Sequence, residues 1–359
     1  MSLDALRGFD MLFIMGFASL VVAVCGLWPS AVTDAAAASM SHVAWDGFAH
    51  HDTIFPLFLF IAGVSFPYSV AKQRAGGMSE GRIYAKIVRR GLTLVVLGMV
   101  YNGLFKLDFE NLRIASVLGR IGLAWSIAAV LYLNFGVKTR AAIAVAVLAG
   151  YGALSALVAA PDAAGAGPLT FEGNLAGYID RQFLPGKLIY GSFDPEGLLS
   201  TVPAVVTAML GMFTGEFVRR GDIRGGRKTL WMAAAAAALL AVGLAFSGVL
   251  PVNKKLWSST FVCVVGAYSL GMFALFYYLI DVRGWRRWPL FFRVVGLNSI
   301  TIYLAQRIVG FGRISDFFLG GIASKCPEAV AAVISSAGYV AVCWLFLYFL
   351  YRKNVFLKV

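Results

Sequence analysis

Apolar residues occur along this chain in long runs, and polar residues collect in the intervals between them. The runs are too long for strands and too poorly charged for amphipathic surface helices. At a rise of 1.5 Å per residue, about 20 apolar residues cross the hydrocarbon core of a bilayer. Ten such runs stand out, at 9–28, 53–71, 91–105, 114–133, 141–160, 197–217, 229–249, 257–280, 289–311 and 328–351. The pattern predicts an all-α, polytopic integral membrane protein with about ten transmembrane helices, organised as a single domain over 1–359. It contains no internal repeat, low-complexity linker or domain boundary, and the alanine run at 233–238 reads as a close-packing surface.

Lysine and arginine orient the spans. Of 31 such residues, 20 fall in one alternate set of loops and termini, 8 in the opposite set, and 3 (Arg120, Arg293 and Arg307) inside spans. The positive-inside rule therefore places both termini in the cytoplasm. Loops 29–52 and 161–196 are then external; the first holds all three histidines and the second is net acidic. The first span lacks a small-residue cleavage site and reads as a retained helix.

Composition supports this picture. The 359 residues are 60% hydrophobic and only 14% charged, with a mean hydropathy of +0.78. Soluble domains carry about 25% charged residues, so a water-soluble globule is excluded. The net charge of +13 does not indicate nucleic acid, because the basic residues lie in alternate loops as bilayer topology requires. Cys25, Cys263, Cys326 and Cys343 form neither a metal knuckle nor a disulfide framework.

Candidate chemistry comes from polar residues at membrane depth and at its margins. Intramembrane ionisable or amide groups are costly and suggest function: Asp10, Arg120, Glu216, Arg293, Asn298, Gln306 and Arg307. Glu216 and Arg293 also suit snorkelling near span ends, and Asn298 with its neighbour Ser299 suits an interhelical hydrogen bond. His42, His50 and His51 lie close to Asp46 and Asp52, at a spacing that fits no metal pattern, so no metal is expected. A histidine beside a carboxylate is suited to general-base work near neutral pH, and Asp52 also suits a cap on the span that follows. In 191–206, Asp194 reads first as a helix N-cap with Glu196 in the first turn, and second as a pair that holds an ammonium or hydroxyls. Lys254 and Lys255, just before an external span end, run against the positive-inside bias; either snorkelling or a local need for positive charge explains them.

These residues lie in stretches that carry a resemblance almost end to end: SLDALRGFDM (2–11), HVAWDGF (42–48), DTIFPLFLFIAGVSFPYS (52–69), ASVLGRIGLAW (115–125), GYIDR (177–181), FDPEGLLST (193–201), PVNKKLWSST (251–260), GLNSITIYL (296–304) and YRKNVFLKV (351–359). The polar motifs, in this order and at span boundaries, resemble the heparan-α-glucosaminide N-acetyltransferase family in its short bacterial form. The resemblance implies the transmembrane acyltransferase fold, acetyl-CoA as cytoplasmic co-substrate, and a terminal glucosamine or related amino sugar as acceptor on the far side of a bacterial inner membrane. It implies a homodimer. It places the catalytic histidine three residues before the Trp-x-Gly motif, at His42, with Asp52 or Asp46 to fix its tautomer. Arg7, Arg120, Asn298 and Ser299 are expected at the donor, and Trp45, Asp180, Asp194, Glu196, Lys254 and Trp257 at the sugar. The animal members carry an asparagine in the outer half of the first core helix, where this chain reads GFAS (16–19). The alternatives are a transporter or flippase for a small polar solute or lipid-linked sugar, and an O-acyltransferase on the same fold.

Overall fold

Helices account for nearly all regular structure in the computed structural model, which describes residues 1–357; Lys358 and Val359, the end of the last resemblance stretch, lie outside the described residues. In chain order the α-helices are α1 (Ser2–Leu12), α2 (Ala18–Cys25), α3 (Ala31–Ala38), α4 (Ile54–Ala75), α5 (Glu80–Tyr101), α6 (Val117–Asn134), α7 (Val137–Leu157) and α8 (Leu175–Phe183). They continue with α9 (Leu198–Arg219), α10 (Gly225–Ala245), α11 (Ser259–Phe276), α12 (Leu290–Leu297), α13 (Ser299–Ile308), α14 (Phe311–Ala323) and α15 (Glu328–Arg352). Among the described residues, extended pairing is limited to two isolated bridges, Arg113 with Gly186 and Ala159 with Asn174.

Among the described residues, eight helical segments are long and apolar enough to cross a bilayer: Ser2–Cys25, His50–Ala75, Val117–Asn134, Val137–Leu157, Leu198–Arg219, Gly225–Ala245, Ser259–Val282 and Glu328–Arg352. This is the architecture of a polytopic membrane protein. The other two predicted spans take different forms. The run at 91–105 is the apolar half of α5, whose first half is basic (Arg82, Lys86, Arg89, Arg90). The run at 289–311 is broken at Asn298, which leaves the helical region (φ −123°, ψ 30°) between α12 and α13.

The chain divides into two compact units. Of the described residues, the first comprises 1–43, 48–54 and 272–357; the second comprises 44–47 and 55–271. In the first unit α1 crosses α12 at two glycines. A Cβ on Gly8 would lie 1.7 Å from the Phe292 carbonyl oxygen, and one on Gly296 would lie 1.9 Å from that of Asp4. Only glycine permits this approach, the means by which helices pack where lipid removes the hydrophobic drive. The second unit uses the same device between α4 and α9, where a Cβ on Gly63 would lie 2.2 Å from the Ala208 oxygen and one on Gly211 2.0 Å from that of Phe60. Its core is aromatic and aliphatic, with Phe55, Phe66, Trp125, Trp257 and Phe261 buried together.

The first span is interrupted. Between α1 and α2 lies a π-helical turn, Phe13–Phe17, with Gly16 at φ +105°. A widened turn frees backbone carbonyls that lipid cannot satisfy. Gln306 meets this need by donating to the Ile14 carbonyl (3.3 Å) and to the Tyr339 hydroxyl (3.0 Å). Thus one of the costly intramembrane polar residues has a structural task, and the GFAS stretch is the site of the kink.

Candidate active site

In the first unit, the extended residue Ala49 is followed by a 3-10 turn, His50–Thr53, that runs directly into α4. Asp52 closes the turn by accepting the Ala49 N–H on Oδ2 (3.1 Å). The His51 N–H donates to the Ser39 carbonyl at the end of α3 (3.0 Å), and Thr53 Oγ1 donates to the His50 carbonyl (2.8 Å). These bonds fix the turn without using Asp52 Oδ1, which lies 2.7 Å from His42 Nδ1. The Asp52 side chain is 1% exposed and that of His42 is 51% exposed. The His51 ring packs on His42 at 4.5 Å, and Phe13, from the kink, packs on His50 at 4.5 Å. Phe13, Ala18 and Ile54, with Phe9, Ile14, Phe17 and Met40 around them, form an apolar base for this corner.

The arrangement has a defined chemistry. A buried carboxylate that receives Nδ1–H sets the tautomer and orientation of the imidazole and puts the basic lone pair on Nε2. It also stabilises the imidazolium once a proton is taken up. Asp46, the other carboxylate considered for this task, instead accepts a hydrogen bond from Asn253 Nδ2 (3.0 Å) within the second unit.

The donor residues expected in the first unit bond to the chain itself. Arg7 Nη1 lies 3.5 Å from Asp4 on the same helix. Asn298 Nδ2 donates to the Val355 carbonyl (3.0 Å) and its Oδ1 accepts from Thr301 (3.1 Å), while Ser299 donates to the carbonyls of Val295 and Gly296.

In the second unit Trp45 belongs to an aromatic group. Its Nε1 donates to the Leu169 carbonyl (2.9 Å), and its ring meets Phe171 at 5.2 Å and Phe193 at 5.6 Å; Tyr190 completes the set at 5.3 Å from Phe193. Lys255 lies over the Tyr190 ring at 4.6 Å and donates to the Ala44 carbonyl, so it is tethered and does not snorkel. The segment 251–260 is a tight turn: the Asn253 N–H donates to Ser258 Oγ, Ser258 and Thr260 donate to the Pro251 carbonyl, and Lys254 is partly buried within it. Trp257 is corrected from a sugar contact to a core residue. It is 1% exposed, adopts φ +51°, and packs on Phe55 and Phe261 with its Nε1 3.3 Å from Thr207 Oγ1.

Two of the acidic residues of 161–196, Asp194 and Glu196, are held by Arg113, while Asp162 pairs with Arg181. Arg113 holds Asp194 through Nε (2.6 Å) and Nη2 (2.5 Å) and also bonds Glu196. Burial would lower the Arg113 pKa, but the hydrogen bonds and charges of Asp194 and Glu196 outweigh it and the net shift is upward. The cap of α9 is supplied by Asp180, on α8, and not by Asp194. Asp180 Oδ1 accepts from Leu198 N–H (2.9 Å) and Oδ2 from Asp194 N–H (3.2 Å). Burial pushes the Asp180 carboxyl up to about 6 against these two bonds. Gly197 is required here, since a Cβ would lie 2.0 Å from Asp180 Oδ2. Asp180 and Asp194, both expected at a cationic sugar, have their oxygens committed to backbone N–H groups and a guanidinium.

Two further intramembrane residues are resolved. Glu216 pairs with Arg140 at 2.7 Å, so an ion pair replaces the snorkelling reading. Arg120 is 2% exposed, bonds Ser200 through Nη2 and lies 5.0 Å over the Trp257 ring. Among the described residues, no group of three or more His, Cys, Asp or Glu is arranged to hold a metal ion.

Comparison with known proteins agrees with the motifs. No family model matches the chain. It is 28% identical over 376 residues to the human heparan-α-glucosaminide N-acetyltransferase and 26% identical over 373 residues to the mouse protein, with 89% of the chain covered in each case. The chain is similar to these heparan-α-glucosaminide N-acetyltransferases over most of its own length. It spans about half the length of these curated relatives, 55% and 56% of them respectively. The aromatic group around Trp45 and the Arg113 cluster were missed in the sequence because their members lie far apart and share no spacing.

Proposed function

We propose that the chain is a membrane N-acetyltransferase that moves acetyl from acetyl-CoA to the amine of a terminal glucosamine or a related amino sugar, with His42 as general base. The observation that carries this reading is the half-exposed His42 imidazole anchored through Nδ1 to the buried carboxylate of Asp52. The relatives, named for N-acetyl transfer to a glucosaminide, supply the reaction class.

The acceptor amine attacks the thioester carbonyl; the N–C bond forms, the C–S bond breaks, and the departing sulfur takes up the proton that His42 Nε2 receives from nitrogen. Base catalysis of this kind is worth about 10²–10⁴ in rate. The charge distribution favours entry of the polyanionic donor beside the basic loops 72–90 and 219–228, with His42 on the opposite face. Trp45, Phe171 and Tyr190, packed around the buried Phe193, offer flat apolar faces of the kind that pack on sugar rings.

The test is release of CoA from acetyl-CoA by detergent-solubilised protein, with and without glucosamine. Glucosamine-dependent release that N-acetylglucosamine does not support, and that disappears in His42→Ala, is the expected result. Absence of thioester cleavage defeats the proposal and favours a transporter. Cleavage that persists in His42→Ala defeats the assignment of the base.

A further inference from the structure

Arg120 is the second unit's most deeply buried cation, and its hydrogen bonding is incomplete. Its Nη2 is engaged by Ser200, but Nε and Nη1 are buried with no hydrogen-bond partner. A buried donor left unpaired costs about 1–3 kcal/mol, more when charged. Arg120 lines a cavity of about 450 Å³ between α6 and α9. From Arg120 the cavity follows one face of α6 through Leu123 and Ile127 to Leu131, opposite Leu198 and Val202 of α9. Leu123, Ile127, Leu198 and Val202 are each more than 40% exposed, so the cavity opens sideways on the apolar flank of the helices.

We infer that this groove binds one acyl chain of a glycerophospholipid, with an ester carbonyl oxygen of that lipid accepting from Arg120 Nε and Nη1. Dimensions agree. Arg120 lies four residues beyond the N-cap Ser116, about 6 Å into the helix, the depth of a lipid's glycerol region. The eleven helical steps from Arg120 to Leu131 span about 16 Å, close to half of a roughly 30 Å hydrocarbon layer. The charge count selects a neutral acceptor. Arg113 and Arg120 already face Asp180, Asp194 and Glu196, two cations against three carboxylates, so the corner does not call for another anion. The lining selects a hydrocarbon over the pantetheine arm of the acetyl donor. The two hydroxyls on the wall are engaged, Ser116 with the Gly119 N–H and Thr201 with the Gly197 carbonyl, and the amides of pantetheine would go unpaired along the rest.

The inference rests on the cavity alone, so a failed CoA-release assay leaves it standing. It is tested by native mass spectrometry of the full chain in micelles doped with 1-palmitoyl-2-oleoyl-phosphatidylcholine or its dialkyl ether analogue. The wild type is expected to retain one ester lipid about tenfold more than the ether lipid, the size of one hydrogen bond to a charged group. Arg120→Met is expected to erase that preference. Val202→Trp, at the exposed rim where folding tolerates bulk, is expected to expel both lipids with an unchanged melting temperature. Equal retention of the two lipids by the wild type, undiminished binding to Val202→Trp, or displacement of the ester lipid by CoA overturns the inference.

Discussion

Asp52 and Asp194 are equally buried, at 1% exposure, and each sits where a turn enters a long helix, yet the two corners are built for different ends. Asp194 receives two nitrogens of Arg113 and the N–H groups of Ile189 and Glu196, so its acceptor sites are filled from within the chain by a permanent cation and rigid backbone. Asp52 receives the Ala49 N–H and, on its other oxygen, an imidazole that is half in solvent. A buried carboxylate closed by a guanidinium holds a fold together; one closed by a group that can gain or lose a proton and reach solvent is poised for chemistry.

His42→Ala carries the largest expected effect. It should lower acetyl transfer by about 10²–10⁴ with little change in melting temperature, since the side chain is half exposed. Retained transfer would remove the distinction between the two corners. Arg113→Met should do the opposite, leaving Asp194 and Glu196 without their cation at a cost of about 3–5 kcal/mol, read by thermal unfolding, and the further change Asp194→Asn should recover part of it. Asp52→Asn keeps the shape of the turn but weakens control of the imidazole tautomer. A loss of about 10² in rate is expected, with a modest fall in stability from the weakened bond to Ala49.

The smallest effect concerns Asp180. Its folded pKa of about 6 lies above the ordinary value of 3.8, so between about pH 4 and 6 the unfolded chain has released a proton that the folded chain still holds. This group therefore adds stability at low pH, and that contribution is lost as pH rises to about 6. Asp180→Asn should flatten this slope in melting temperature and cost about 1–3 kcal/mol through a lost acceptor for Leu198 or Asp194.

Much of this was legible in the sequence because bilayer physics writes itself locally. Apolar runs of span length predicted the helices, and the histidine beside carboxylates in 42–52 marked the corner where His42 meets Asp52. Legibility failed where a local feature met a distant partner. Glu216 looks like a snorkelling residue until Arg140, 76 positions away, is brought beside it, and Asp194 looks like the cap of α9 until Asp180 on α8 takes that place. The ninth run looks continuous because nothing in GLNSITIYL reveals that the Asn298 side chain is drawn to Val355. The short helices α3 and α8 were missed because, at 8 and 9 residues, each is far shorter than a membrane span.

By itself, the sequence determined that this chain forms apolar helices and the family it resembles, because hydrophobic length and motif order are properties of neighbours along the chain. Tertiary structure decided which carboxylate holds His42, that Trp257 is core, and that Arg120 opens onto a groove. Those outcomes depend on which buried groups find partners across long loops, and an unpaired buried charge is too costly for the choice to be made one segment at a time.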